Sequence, residues 1–216
     1  MTVAREHLAE IVREVDRSLR AASDAREVAL PRCRSVIRQS GSAIKAVHRL
    51  RSDEASEMLD GAEATLREVQ AALADHPAIE HAGFLHDAEK EYVEARCVVA
   101  LVGGTALPTP AELGVGGPAY LRGLAEAASE LRRHLLDRLR DGELERATEL
   151  LELMDDVYDE LMTVDHPDAV TSGLRRTLDA LRAVLERSRG DLTTTTLQTR
   201  LQRTLESARA EFGDRT

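Results

Sequence analysis

Tryptophan is absent from this 216-residue chain, and three tyrosines and two phenylalanines are its only aromatic residues. Sandwiches and barrels are built from aromatic and β-branched side chains, so this scarcity excludes them as the expected architecture. Cysteine is nearly as rare. Cys33 and Cys97 stand far apart, without CxxC or Cys/His ligand spacing, which predicts two buried reduced thiols and no zinc site. No apolar run approaches the ~20 residues of a bilayer-spanning helix, so no membrane association is expected. The chain enters an amphipathic pattern directly after Met1, with neither a signal-peptide core nor a basic transit segment, and the expected compartment is the cytoplasm. Lysine is represented by Lys45 and Lys90 alone, the other basic residues being arginine, and the net charge is −10. That balance argues against a uniformly basic nucleic-acid surface while leaving room for a local one.

What remains is Ala, Leu, Glu and Arg in abundance, with 43% hydrophobic residues, the composition of helices packed through aliphatic side chains. Apolar spacing of three and four residues recurs almost throughout. The reading is an all-α, single-domain bundle of about seven to eight antiparallel helices spanning residues 1–216. Helices are expected at Val3–Arg20, Asp24–Arg51 (bent at Pro31), Asp53–Asp75 and Ile79–Leu101. A loop at residues 102–118 follows, because glycine and proline crowd there. Further helices are expected at Ala119–Arg140 and Glu143–Thr163. A seventh is expected to start with Asp165 as N-cap and Pro167 in its first turn and to stop at Gly190. The polar run Thr193–Thr196 would then precede an extra C-terminal helix at about 197–212.

Three groups of residues stand out. Between Val28 and Ser52 there is no Asp or Glu, yet Arg34, Arg38, Lys45 and Arg49 fall on one helical stripe with His48 beside it. Such a row suits a phosphate backbone, or it pairs with acidic faces of neighbouring helices. No aromatic residues interleave to form a stacking platform. Glu91 and Glu94, at i and i+3, share a helix whose end, Cys97 to Leu101, is wholly apolar. Carboxylates projecting into such a region need compensation, either from a divalent cation or from an arginine of another helix. On the next helix, Glu126 and Glu130 lie opposite the stripe formed by Leu121, Leu124, Ala128, Leu131 and Leu135, where a glutamate pair is ordinarily solvated. His134, one turn beyond Glu130, reads as a surface or interface histidine.

The segment Glu91-Tyr92-Val93-Glu94-Ala95, followed by a Gly/Pro-rich loop and then Tyr120-Leu121-Arg122-Gly123-Leu124-Ala125-Glu126 leading to Glu130-Leu131, resembles the translin and TRAX family. Arg32–Leu50, Asp156-Val157-Tyr158-Asp159 and Leu174–Gly190 extend the resemblance over most of the chain. It implies an all-α fold, a homo-oligomer forming an octamer-like shell, and binding of single-stranded RNA or single-stranded DNA. A TRAX-like, catalytic-type subunit of a prokaryotic or archaeal homologue would be a metal-dependent endoribonuclease. By position, Glu91, Glu94, Glu126 and Glu130 would be its catalytic ligands for Mg²⁺ or Mn²⁺. Arg34, Arg38, Lys45, His48, Arg49 and Arg133 would meet the nucleic acid. Glu126 departs from the Asp usual in eukaryotic TRAX, and the added methylene changes the reach of that ligand. A translin-like binding protein without chemistry and a helical scaffold are the competing expectations.

Overall fold

The computed structural model describes residues 2–80 and 82–213, and among these every regular element is a helix. The order is α1 (Thr2–His48), α2 (Ser52–Leu73), α3 (Pro77–Glu80), α4 (Phe84–Gly103), α5 (Pro110–Leu113), α6 (Gly117–Arg140), α7 (Leu144–Met162), α8 (Asp168–Thr171) and α9 (Leu174–Gly213). The all-α expectation is met. No helix among the described residues is long and apolar enough to cross a membrane.

Several expected boundaries move, each for a physical reason. The two helices expected before Arg51 are one helix of 47 residues, because nothing between Arg20 and Asp24 breaks it. Pro31 lies on the exposed side, where water can satisfy the carbonyl that its missing N–H leaves behind. The helix expected from Ile79 is divided at Gly83, whose φ of 93° separates α3 from α4. The loop at 102–118 holds a helical turn, α5. Thr109 and Glu112 close it in a reciprocal capping box, and Gly114 ends it in the left-handed conformation. Asp165 is not an N-cap. Pro167 precedes the short α8, and Ser172 and Gly173, both at positive φ, divide it from α9. The polar run at 193–196 does not interrupt α9, so the separate C-terminal helix is absent. Thr195 and Thr199 donate their hydroxyls to the carbonyls of Asp191 and Thr195, and are thereby accommodated within the helix.

The chain divides into two compact units. The first gathers the residues up to Arg96 together with 108–120. Its frame is a helical hairpin of α1 and α2. Ala29, Cys33, Val36, Ser40, Ala43 and Val47 of α1 are buried at alternating spacings of four and three, as are Ala55, Leu59, Ala62, Leu66, Val69 and Leu73 of α2. A strict 3.5-residue repeat on both helices is the pattern of coiled-coil packing. The turn is tight: Leu50 takes φ 59°, and the N–H groups of Arg49, Leu50 and Arg51 return to carbonyls of Ala46 and Val47. The antiparallel register is marked by the Arg32–Glu68 ion pair at 2.9 Å and by Gln39 facing Gly61. The N-terminal part of α4 attaches to this hairpin. Tyr92, fully buried, donates its hydroxyl to Glu63, and Arg96 reaches both Glu63 and Asp60.

The second unit comprises residues 97–107 and 121–216. Here α7 buries Leu150, Met154, Val157 and Leu161, and α9 buries Leu174, Leu178, Leu181 and Leu185. Arg189 of α9 pairs with Asp155 of α7. Arg132 of α6 is held by Ser188 at 3.0 Å and Asp191 at 2.7 Å.

Candidate metal centre and nucleic-acid surface

Glu91 and Glu94 lie on α4 because their neighbours Tyr92 and Arg96 are committed to the opposite face. At ~100° per residue, a helix that turns positions 92 and 96 toward α2 directs positions 91 and 94 away from it. The commitment is strong. Burial pushes the Tyr92 hydroxyl up to about 12 despite the opposing bond from Arg96, with Glu63 adding to the rise. Burial also acts to raise Glu63. The hydrogen bonds from Tyr92 and Arg67, and the charges of Arg67 and Arg96, outweigh it and hold that carboxyl below its usual range.

Glu91 and Glu94 stand one turn apart on α4, in the first unit, Glu91 half-buried and Glu94 buried. Lys90 Nζ lies 2.9 Å from Glu91 Oε1. The pair offers carboxylate oxygens alone, the donors a hard cation requires. Carboxylates so placed can hold a metal ion. In the second unit, Glu126 and Glu130 stand one turn apart on α6, both half-buried and engaged, and Arg122 lies 3.9 Å from Glu126. The four expected ligands thus fall in two pairs, one on each helix.

The neighbouring side chains are less exposed than the sequence implies. His134 is buried, at 9% exposure, rather than lying on the surface. Leu121 and Leu124 are half-buried, and Ala125, Ala127, Ala128, Leu131 and Leu135 are among the buried residues of α6. Sequence reasoning missed Lys90. The signal was available, since a lysine in an arginine-rich chain stands directly beside Glu91.

The stripe on α1 resolves differently from its acidic-pairing alternative. Arg34, Arg38, Lys45 and Arg49 are all exposed, and among the described residues none of them forms an ion pair, whereas Arg32 pairs with Glu68 and Arg51 with Glu54. His48 is half-buried and engaged. Arg133 is exposed on α6 beside a shallow groove shared with Glu130 and Asp137. Four solvated cations along one helix face constitute a local basic surface on an acidic protein.

Both cysteines are buried, as their spacing predicts. Burial, aided by the charge of Glu89, raises the Cys33 thiol to about 11, so it is inert at neutral pH.

No family model matches the chain. It is 30% identical over 172 residues to an uncharacterised protein of Methanocaldococcus jannaschii, covering 78% of this chain and 75% of that one. Two structures of AfC3PO, one of them a complex with duplex RNA, are 31% identical to it, with TM-scores of 0.79 and 0.78. Both cover 87% of this chain and 97% of their own. Apo-NeC3PO, at 19% identity and a TM-score of 0.76, shares the fold over 85% of this chain and 96% of its own.

Proposed function

Because this chain belongs to the translin/C3PO family, we propose that it binds RNA and cleaves it as a TRAX-like endoribonuclease, using a divalent cation held by Glu91 and Glu94, with Glu126 and Glu130 as the further ligands that the family resemblance implies. The observation that carries this reading is the carboxylate pair of α4, in which Glu94 is buried and Glu91, one turn before it, half-buried. Mg²⁺ or Mn²⁺ bound there would supply a nucleophilic water and charge stabilisation at the phosphorus. The chain's own residues do the rest. Glu94, the more buried of the pair, fixes the geometry, and Lys90 orients Glu91 through its 2.9 Å contact. Arg34, Arg38, Lys45 and Arg49 draw the strand in and neutralise its phosphates.

The related AfC3PO is described with duplex RNA, and single-stranded RNA is the proposed substrate here because an unpaired strand is flexible enough to fit its phosphates to the cations of α1. Homo-oligomers enclosing the site in an octamer-like shell, in the cytoplasm, complete the reading. A binding-only protein is the second reading, and Lys90 favours it, since an ammonium already compensates Glu91 without metal. A scaffold whose basic face merely pairs with acidic helices is disfavoured by the four cations of α1 that form no ion pair among the described residues.

The deciding experiment incubates end-labelled single-stranded and duplex RNA with purified protein, in Mg²⁺, in Mn²⁺ or in EDTA, beside Glu94→Ala. Metal-dependent cleavage lost in the variant is the expected result. Cleavage persisting in EDTA or in Glu94→Ala removes the metal site, and binding without cleavage establishes the second reading.

A further inference from the structure

The buried 3.5-residue repeat of α1 does not stop where α2 ends. Extended toward the N-terminus, the same alternation of four and three passes through Ala22, Leu19, Val15, Val12 and Leu8. Leu73 ends the buried repeat of α2, so this continuation has no partner in the hairpin. Leu8, Val12, Val15 and Leu19 are each more than half exposed, and Ile11 beside them is 46% exposed. A soluble helix ordinarily turns such a seam toward something.

From this we infer that the N-terminal part of α1 pairs with the same segment of a second copy, as an antiparallel two-stranded coiled coil. The first argument is continuity. A seam already packed knobs-into-holes over Ala29–Val47 keeps its repeat without a stutter, so its geometry is set for another helix at the same spacing. The second is self-complementarity. In an antiparallel pair, Leu8 layers against the partner copy's Leu19, and Val12 against its Val15, which closes four apolar layers with two-fold symmetry. The third is charge. Arg5 and Arg26 occupy seam positions at the two ends of the apolar stretch. A parallel in-register pair would set each arginine against its own copy. The antiparallel pair sets Arg5 against Ala22 and also opposes the helix dipoles. The flanking Ala9, Ser18, Ser23 and Ala25 are small and allow close approach. The seam spans about three heptads, roughly 30 Å, the length at which such pairing becomes self-sustaining.

This contact is independent of whether the carboxylates hold a cation. Its test uses the full chain carrying Leu8→Cys or Leu19→Cys, the native thiols being buried. Under mild oxidation, a mixture of the two variants is expected to form a disulfide-linked pair, and Leu8→Cys alone is not, because only the antiparallel layer brings the two positions within ~6 Å. Cross-linking of Leu8→Cys to itself, or none in the mixture, overturns the proposal. In parallel, Val12→Asp/Val15→Asp is expected to lower the mass in solution by about twofold or more while helicity and melting of the core persist. An unchanged mass overturns the pairing. A drop seen instead only with Leu201→Asp, on the exposed stripe of α9, assigns the contact elsewhere and overturns it equally.

Discussion

Tyr92 donates its hydroxyl to Glu63 Oε2 at 2.9 Å, tying α4 to α2 one residue beyond Glu91. Arg96 bonds to both partners, so the tyrosine, the glutamate and the arginine form a closed triangle. Its consequence is rotational. With Tyr92 and Arg96 fixed on one side of α4, Glu91 and Glu94 have no freedom to turn with them.

Removing the hydroxyl is therefore expected to act on stability and on the carboxylates together. Tyr92→Phe should cost about 1–3 kcal/mol in urea unfolding, because Arg96 and Glu63 lose a part-buried partner. The effect is pH-dependent. Glu63 titrates below its usual range, so its contribution is fully present above the unfolded value near ~4.3 and is lost as pH falls through the lower folded value. Tyr92→Phe should accordingly lose less stability on acidification than the parent does, and identical acid profiles would contradict the assignment.

Ligand rank is testable by titrating Mn²⁺ calorimetrically, without RNA. Glu94→Gln and Glu126→Gln should each weaken binding by about a hundredfold, corresponding to roughly 3 kcal/mol. Glu91→Gln, at the half-buried carboxylate already met by Lys90, should weaken it by about tenfold or less. Equal losses at positions 91 and 94 would contradict this ranking.

The basic stripe of α1 predicts a salt effect. Arg38→Ala/Lys45→Ala should weaken RNA binding and flatten the log–log salt dependence by about 0.7 per lost contact on single strands. Cleavage at saturating RNA should persist. A variant with parental affinity and slope would place the RNA elsewhere.

Gly190 offers a test of the long last helix. It lies within α9 with open space around its Cα, and it does not take positive φ. Gly190→Ala should raise stability by about 0.5–1 kcal/mol. A destabilised variant would indicate a break at this position.

The fold class and most helix limits were legible because helix formation here follows apolar spacing, which a linear sequence displays. Two of the misplaced limits share one cause, polar residues that suggest breaks where helical backbone tolerates them, whereas at Gly83 a left-handed glycine breaks a helix that apolar spacing runs through. Ser23 and Asp24 sit on an exposed face of α1, and Thr195 and Thr199 bond within α9. The capping box at Thr109–Glu112 was visible in its Thr-x-x-Glu spacing and was masked by the surrounding glycines and prolines. At the site, the spacing of Glu91 and Glu94 showed a need for counter-charge. It could not show which helix answers it, since partners distant in sequence meet only through tertiary packing. Nor could it show whether α1's cations were paired, because Glu68 meets Arg32 across the hairpin while, among the described residues, no acid pairs with Arg34 or Arg38. The role of Glu63 was equally hidden, 29 residues before its tyrosine.

Cys33 occupies a buried layer of the α1 repeat, and its thiol titrates at about 11. Very little thiolate exists at neutral pH while the hairpin is closed, and an alkylating reagent cannot reach it. Modification of Cys33 must then wait for α1 and α2 to separate. The side chain is an internal clock for that opening, and its labelling rate, followed with and without RNA or metal, times the breathing of the first unit without any added probe.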